Sequence, residues 1–169
     1  MTNEIINRVA NSSLITIDLE DFYPEGNRVV LDMKQWLFKE LILKEADFRL
    51  SLKNHDWSNY KNAHVAITCS SDAIIPSWAY LLLSTYLNTV CKTVVIGNLK
   101  ELETRIFYTV IENLDISIYK NKPVIIKGCT HKPIPETAYI LLLEKLQPVA
   151  KSIMFGEACS SVPLYKNKS

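Results

Sequence analysis

The chain of 169 residues contains four glycines, four cysteines and three histidines, in none of the arrangements that usually mark a site. No glycine-rich phosphate loop follows any stretch that reads as a strand, so a nucleotide-binding fold has no support. No two cysteines stand at CxxC spacing, which removes the strongest sequence signature of a zinc or redox centre. No apolar run approaches the roughly 20 residues needed to span a bilayer. The longest runs, residues 78–83 and 138–143, read as buried helix. Met1-Thr2-Asn3-Glu4 has no signal-peptide character. An excess of one charge is missing too: 19 basic and 18 acidic residues are well mixed and leave a net charge of +1. Such a balance gives no strong field for a phosphate backbone or an anionic lipid surface. These absences lead to the expectation of a cytoplasmic protein that binds neither nucleic acid nor membrane. Its cysteines would be reduced thiols serving metal or redox chemistry rather than disulfides.

What the chain does have is an internal repeat. Residues 65–98 and 124–157 align without a gap at an offset of 59, with 12 identities in 34 positions. Pro76 matches Pro135, Ala79 matches Ala138, Tyr80 matches Tyr139, Leu87 matches Leu146 and Gly97 matches Gly156. Each copy reads as strand, loop, helix opened by a proline, then a second strand closed by glycine. With 48% hydrophobic residues, a chain of this length buries a core without staples.

The remaining chain fits around the two copies. Asn3 can cap a short helix carrying Ile5, Ile6 and Val9. Residues 14–19 and 28–33 read as strands joined by turn residues at 24–27, an antiparallel pair. Residues 44–52 have helical composition, and 99–114 form a helix with Leu102, Ile106, Val110 and Leu114 on one face. Trp36, Leu37, Phe38, Leu41 and Ile42 are apolar enough for core or for a partner surface. The carboxylates Asp18, Glu20, Asp21 and Glu25 read as a solvated acidic edge rather than a cation site, since no calcium-loop spacing is present. His55 beside Asp56 reads as a surface histidine next to an acid, because sequence neighbours on a loop rarely share catalytic geometry. The last residues of the tail read as frayed. The expected fold is therefore a single α/β domain over residues 1–169. It has a hairpin region at 1–60, repeats at 65–98 and 124–157, and a mostly parallel sheet with an N-terminal antiparallel pair.

In a parallel sheet every strand ends on one edge, and ligands bind outside those carboxyl ends. Cys69, Cys129 and Cys159 each follow a strand of such a sheet, whereas Cys91 precedes its strand and belongs to the opposite edge. Asp72 and His131 occupy equivalent repeat positions in the edge loops. Three thiolates repel one another unless a cation neutralises them, and soft sulfur donors suit zinc or an iron–sulfur cluster. The expected metal donors are Cys69, Cys129, Cys159, Asp72 and His131. Two other readings stand beside this one. A non-enzymatic interaction domain would use the apolar 36–42 stretch, and a cysteine enzyme would use Cys129 with His131.

Four stretches carry a resemblance to a known family. They are residues 18–26 (DLEDFYPEG), 66–76 (AITCSSDAIIP), 127–129 (KGC) and 152–160 (SIMFGEACS). The chain resembles, over nearly its whole length, a family of small uncharacterised bacterial proteins, the domain of unknown function numbered twenty-four eighty. The resemblance implies that Cys69, Cys129 and Cys159 belong to the family pattern and that His131 does not. It also implies a protein partner in iron–sulfur assembly, and so an iron–sulfur cluster ahead of zinc. It implies no established activity.

Overall fold

The computed structural model describes residues 13–128 and 131–167. The class is α/β. The strands are β1 (Ile15–Ile17), β2 (Arg28–Asp32), β3 (His64–Thr68), β4 (Thr93–Ile96), β5 (Pro123–Ile126), β6 (Ser152–Glu157) and β7 (Ser160–Lys166). The helices are α1 (Glu45–Asn54), α2 (Ser77–Leu87), α3 (Leu99–Glu112) and α4 (Glu136–Leu146). The strands form two sheets, of order β1-β5-β6-β7 and β2-β3-β4. The chain divides correspondingly into two compact units. An inserted unit runs from Pro24 to Ile106, and a discontinuous unit combines the chain up to Tyr23 with the chain from Phe107 onward. The division falls inside α3. No described helix is long and apolar enough to cross a membrane.

Each unit is built on one copy of the repeat, and the duplication reaches well beyond residues 65–98 and 124–157. In the inserted unit β2 pairs parallel with β3, Leu31 opposite Ile67, and β3 with β4, Ile67 opposite Ile96. In the discontinuous unit β1 pairs parallel with β5, Ile17 opposite Ile126, and β5 with β6, Ile126 opposite Phe155. Ile67 and Ile126 are 59 apart, as are Ile96 and Phe155, so the two registers are the same. The short 3-10 helices Trp57–Tyr60 and Ser117–Tyr119 are also equivalent. Asp56 and Asp115 each accept a bond from the backbone N–H two residues on, that of Ser58 and of Ser117, at 2.9 Å. Asn62 and Asn121 both take left-handed φ, 58° and 59°, and donate their backbone N–H to Val90 O and Val149 O at 2.8 Å. The first strands repeat at a different offset: Asp18, just after β1, and Asp32, at the end of β2, cap the 3-10 helices Leu19–Phe22 and Met33–Trp36.

The packing explains why the copies fold alike. α2 buries Ala79, Leu83 and Leu87, one residue per turn, and α4 buries Ala138, Leu142 and Leu146 in the same stripe. Under the first stripe lie Val65 and Ile67 of β3, and under the second Val124 and Ile126 of β5. Phe48 and Leu52 of α1 complete one core, as Phe107 and Ile111 of α3 complete the other. Of the ten buried residues in the inserted unit's main core, all but Ala63 have a buried apolar counterpart in the other. Each fully buried Leu, Ile or Phe contributes about 1.5–3 kcal/mol of transfer free energy, so this shared set outweighs any local preference of the connecting loops.

Several expectations need correction. The N-terminal strands are not an antiparallel pair. Residues 19–22 coil into a 3-10 helix instead of turning tightly, and β1 and β2 join different sheets as parallel strands. The antiparallel pair is β6 with β7, at the other end of the chain. Residues 160–166, read as part of a tail, form that seventh strand. The strands form two sheets rather than one. On α3 the buried positions are Leu102, Glu103, Ile106, Phe107 and Ile111, while Val110 is half-buried and Leu114, also half-buried, lies beyond the helix end at Glu112. The cap expected at Asn3 lies outside the described residues.

At the amino ends of its strands the inserted unit buries polar groups in pairs, as burial demands. Arg28 Nε donates to Glu103 Oε1 at 2.8 Å, and Arg28 Nη1 donates to Pro24 O and Gly26 O at 2.7 Å. The His64 ring stands 3.0 Å from Thr93 Oγ1 and 3.2 Å from Glu25 O, and burial holds its pKa below the ordinary value.

The matched left-handed turns give a direct test of the duplication. Asn62→Ala and Asn121→Ala should each destabilise the protein by about 1 kcal/mol, because alanine keeps the Cβ clash at positive φ but lacks the short polar side chain that lets asparagine offset it. Asn→Gly at either position should cost little. Urea melts of the four variants check this. Unequal losses would show that the two turns are not equivalent.

Candidate functional site

Topology directs attention to the carboxyl ends of the parallel strands in each unit. In the discontinuous unit β1 is followed by Asp18, β5 is followed by Lys127, and β6 ends at Glu157. Lys127 Nζ donates to Asp18 Oδ2 at 2.7 Å. Asp18 Oδ1 accepts the Glu20 backbone N–H at 2.9 Å. Burial would raise the Asp18 pKa, but these bonds outweigh it and hold the carboxyl below its usual range. The same bond to Asp18, helped by the charges of Glu157 and Glu20, raises Lys127 and keeps it a cation. Glu20 accepts the backbone N–H of His131 and, at 3.0 Å, that of Lys132, whose Nζ donates to Glu20 O at 3.1 Å. Those bonds, that from Lys132 first, lower the Glu20 pKa. The edge is therefore charge-compensated. These bonds favour the charged forms of Lys127, Asp18 and Glu20. Two of the four residues expected to form a solvated acidic edge, Asp18 and Glu20, are in fact fixed by partners.

The equivalent edge of the inserted unit is plainer. Asp32 Oδ1 accepts the backbone N–H of Lys34 at 2.9 Å and of Ser70 at 3.1 Å. Burial again opposes ionisation, and the bonds from Ser70 and Lys34 again win. Cys69 Sγ lies 3.4 Å from Ser71 Oγ and, half-buried, packs against the core beside α2. Asp72 is exposed in the following loop.

The expected metal donors are distributed as follows. Cys69 and Asp72 belong to the inserted unit. His131, exposed, and Cys159, exposed in the two-residue turn between β6 and β7, belong to the discontinuous unit. Cys129 lies outside the described residues. The expectation of one shared edge presumed one sheet, and with two sheets the topology does not supply it. Among the described residues no three His, Cys, Asp or Glu side chains gather to hold an ion. Cys91 precedes β4, bonds to Tyr60 O at 3.5 Å, and has its pKa pushed up to about 11 by burial.

His55 and Asp56 do not act together. The His55 ring sits among Trp36, Trp57 and Tyr60, with centroid separations of 5.5, 4.6 and 5.7 Å, while Asp56 caps a helix. Trp78 and Trp36 likewise pack edge-on against the buried Phe48.

A third region is apolar. Phe38, Leu41 and Ile42 are 44%, 61% and 58% exposed, and Ile74 is 92% exposed. Leu41, Ile42 and Leu43 line an open groove together with Ile74 and Pro76, and Asp72 also borders it. The hairpin carrying Phe38 and Ile42 is closed by Phe38 N–H to Ile42 O at 2.8 Å and the return bond at 3.1 Å. Its turn puts Lys39 and Glu40 consecutively in the left-handed region, φ 50° and 60°. Such residues cost roughly 1–2 kcal/mol each against glycine, so this turn is retained at the expense of stability. The 36–42 stretch was legible as core or partner surface. The contribution of Ile74 was not, because an isolated isoleucine in a loop carries no periodic signal.

The chain belongs to the family described as Protein of unknown function (DUF2480), whose model matches residues 3–167. Nothing among curated proteins or solved structures matches it.

The thiols separate by environment, which mass spectrometry of alkylated protein resolves. At about pH 8 a thiol of pKa about 11 is ionised in about one molecule in a thousand, so Cys91 should label last, and exposed Cys159 well before it. Equal rates at the two positions would contradict the burial of Cys91.

Proposed function

We propose that the protein acts as an interaction domain, binding another protein through the apolar surface of its inserted unit. The observation that carries this reading is the group of exposed side chains Leu41, Ile42 and Ile74 lining one groove, with exposed Phe38 paired across the hairpin with Ile42. Exposed apolar groups gathered in one place, unlike scattered ones, mark interaction surfaces. The held turn at Lys39 and Glu40 supports it, since strain of this kind concentrates where a segment must keep one shape for recognition. The ion-paired edge of the discontinuous unit supports it as well, because its lysine and carboxylates are tied to one another.

A photo-crosslinking residue in place of Ile74 tests the proposal in cells that make the protein. A discrete adduct is expected, lost when Leu41→Ser and Ile42→Ser are added and unaffected by Cys69→Ser, Cys129→Ser and Cys159→Ser together. An adduct indifferent to the apolar substitutions, or no adduct, would remove the reading.

A second reading is thiolate metal binding, zinc or an iron–sulfur cluster, in partnership with iron–sulfur assembly. Its support is the position of Cys159 at the carboxyl end of β6. Gly128, the residue before Cys129 in the chain, packs so close to Phe155 of the same strand that an added Cβ would meet the ring at 2.7 Å. Soft sulfur donors from the ends of neighbouring strands are the donor set such a metal takes. Anaerobically purified protein should then carry metal in stoichiometric amount, with Cys159→Ser and Cys129→Ser each losing it. Protein that is colourless, metal-free and resistant to reconstitution would end this reading.

A further inference from the structure

The groove bears on the chemistry of its partner through the cations beside it. Lys44 Nζ stands 3.6 Å from the centroid of the Phe38 ring, and Lys39 Nζ stands 5.5 Å from it. Phe38 in turn is bonded across the hairpin to Ile42, which lines the groove. Neither lysine has a carboxylate partner among the described residues. Two neighbouring acids are taken by other cations: Glu40 pairs with Lys34 at 3.0 Å, and Glu45 with Arg49 at 2.9 Å. Asp72 is an acid on the groove itself, and it lies on the loop opposite the hairpin. The hairpin side thus presents exposed apolar groups together with two uncompensated ammonium groups, held over an aromatic face rather than free in solvent.

We propose that this groove receives an amphipathic segment of a partner protein whose apolar side chains are flanked by carboxylates. The inference deepens the interaction reading above and rests on it. Apolar side chains of the segment fill the space lined by Leu41, Ile42 and Ile74, while its Asp or Glu residues meet Lys39 and Lys44. A lysine held against a ring has already lost part of its conformational freedom, so pairing it with a carboxylate costs less ordering than pairing a free one. Complementary charge at the edge of an apolar contact sets partner choice and association rate more than the depth of binding. Lys34 and Arg49 already have intramolecular partners and contribute less.

Three labelled synthetic peptides test this with the full protein by fluorescence anisotropy. They share one apolar helical stripe and differ in carrying Glu, Gln or Lys on the flanks. The Glu peptide should bind tightest and weaken as salt rises. Against the Lys39→Glu, Lys44→Glu double variant it should lose about tenfold in affinity, the effect of turning two exposed attractions into repulsions. Leu41→Ser with Ile74→Ser should abolish binding of all three. Both variants alter exposed positions, so unchanged thermal melts separate loss of binding from loss of fold. Equal binding of the three peptides, abolished by the serine pair, would leave the apolar site standing and overturn its acidic preference. Binding that survives the serine pair, or no binding by any peptide, would overturn the docking site itself.

Discussion

The structure depends on one contact made twice: the apolar stripe of a crossover helix lying on the central strand of a short parallel sheet. Ala79, Leu83 and Leu87 of α2 lie against Val65 and Ile67. Ala138, Leu142 and Leu146 of α4 do the same against Val124 and Ile126. A parallel pair of strands cannot be closed by a tight turn, so the crossover helix is both the connection and the cover of the sheet. Once the stripe is fixed, the register of the strands that it joins follows, and both copies have the same register. A third strand from the N-terminal region, β1 in one unit and β2 in the other, then completes each set.

The units differ where the chain leaves this shared plan. After Gly97 the inserted unit passes into α3. After Gly156, at the matching position and also at positive φ, the discontinuous unit turns back as β7. The edges have diverged as well. Asp18 is bound by Lys127, whereas its counterpart Asp32 takes backbone N–H groups of Lys34 and Ser70. In place of Glu20, which ties down the loop before α4, the inserted unit has Lys34. Its own loop, with Asp72 and Ile74, is not held by a carboxylate from that position. Equivalent loops are thus tied to an ion-paired edge in one unit and border an apolar groove in the other. This contrast favours assigning recognition to the inserted unit.

Much of this was readable in the residues. The offset of 59 between Pro76 and Pro135, and the helical spacing of the leucines behind them, gave the strand–helix–strand unit and its place in the core. The position of Cys91 before its strand, on the opposite edge from the strand ends, was also readable. The Asp18–Lys127 pair was not readable. Its members are 109 residues apart, and either alone is an ordinary surface charge. The capping aspartates Asp56 and Asp115 carried the repeat further back than the identities around Pro76 suggested. They were hidden because the segment between Asp115 and Pro123 reads as a plain connector.

The sequence by itself determined the α/β class, the two copies, the buried stripe of each helix and the family. Periodicities of two and 3.6 residues record which face of an element avoids water, and these are properties of short segments. Only the tertiary structure decided that the copies form two sheets, that β1 and β2 part company, and that Phe38, Leu41, Ile42 and Ile74 stand in solvent. Those outcomes depend on which distant strand a segment finds and on what is left over to cover an apolar residue. No local pattern contains that information, because it arises from competition among long-range contacts across the whole chain.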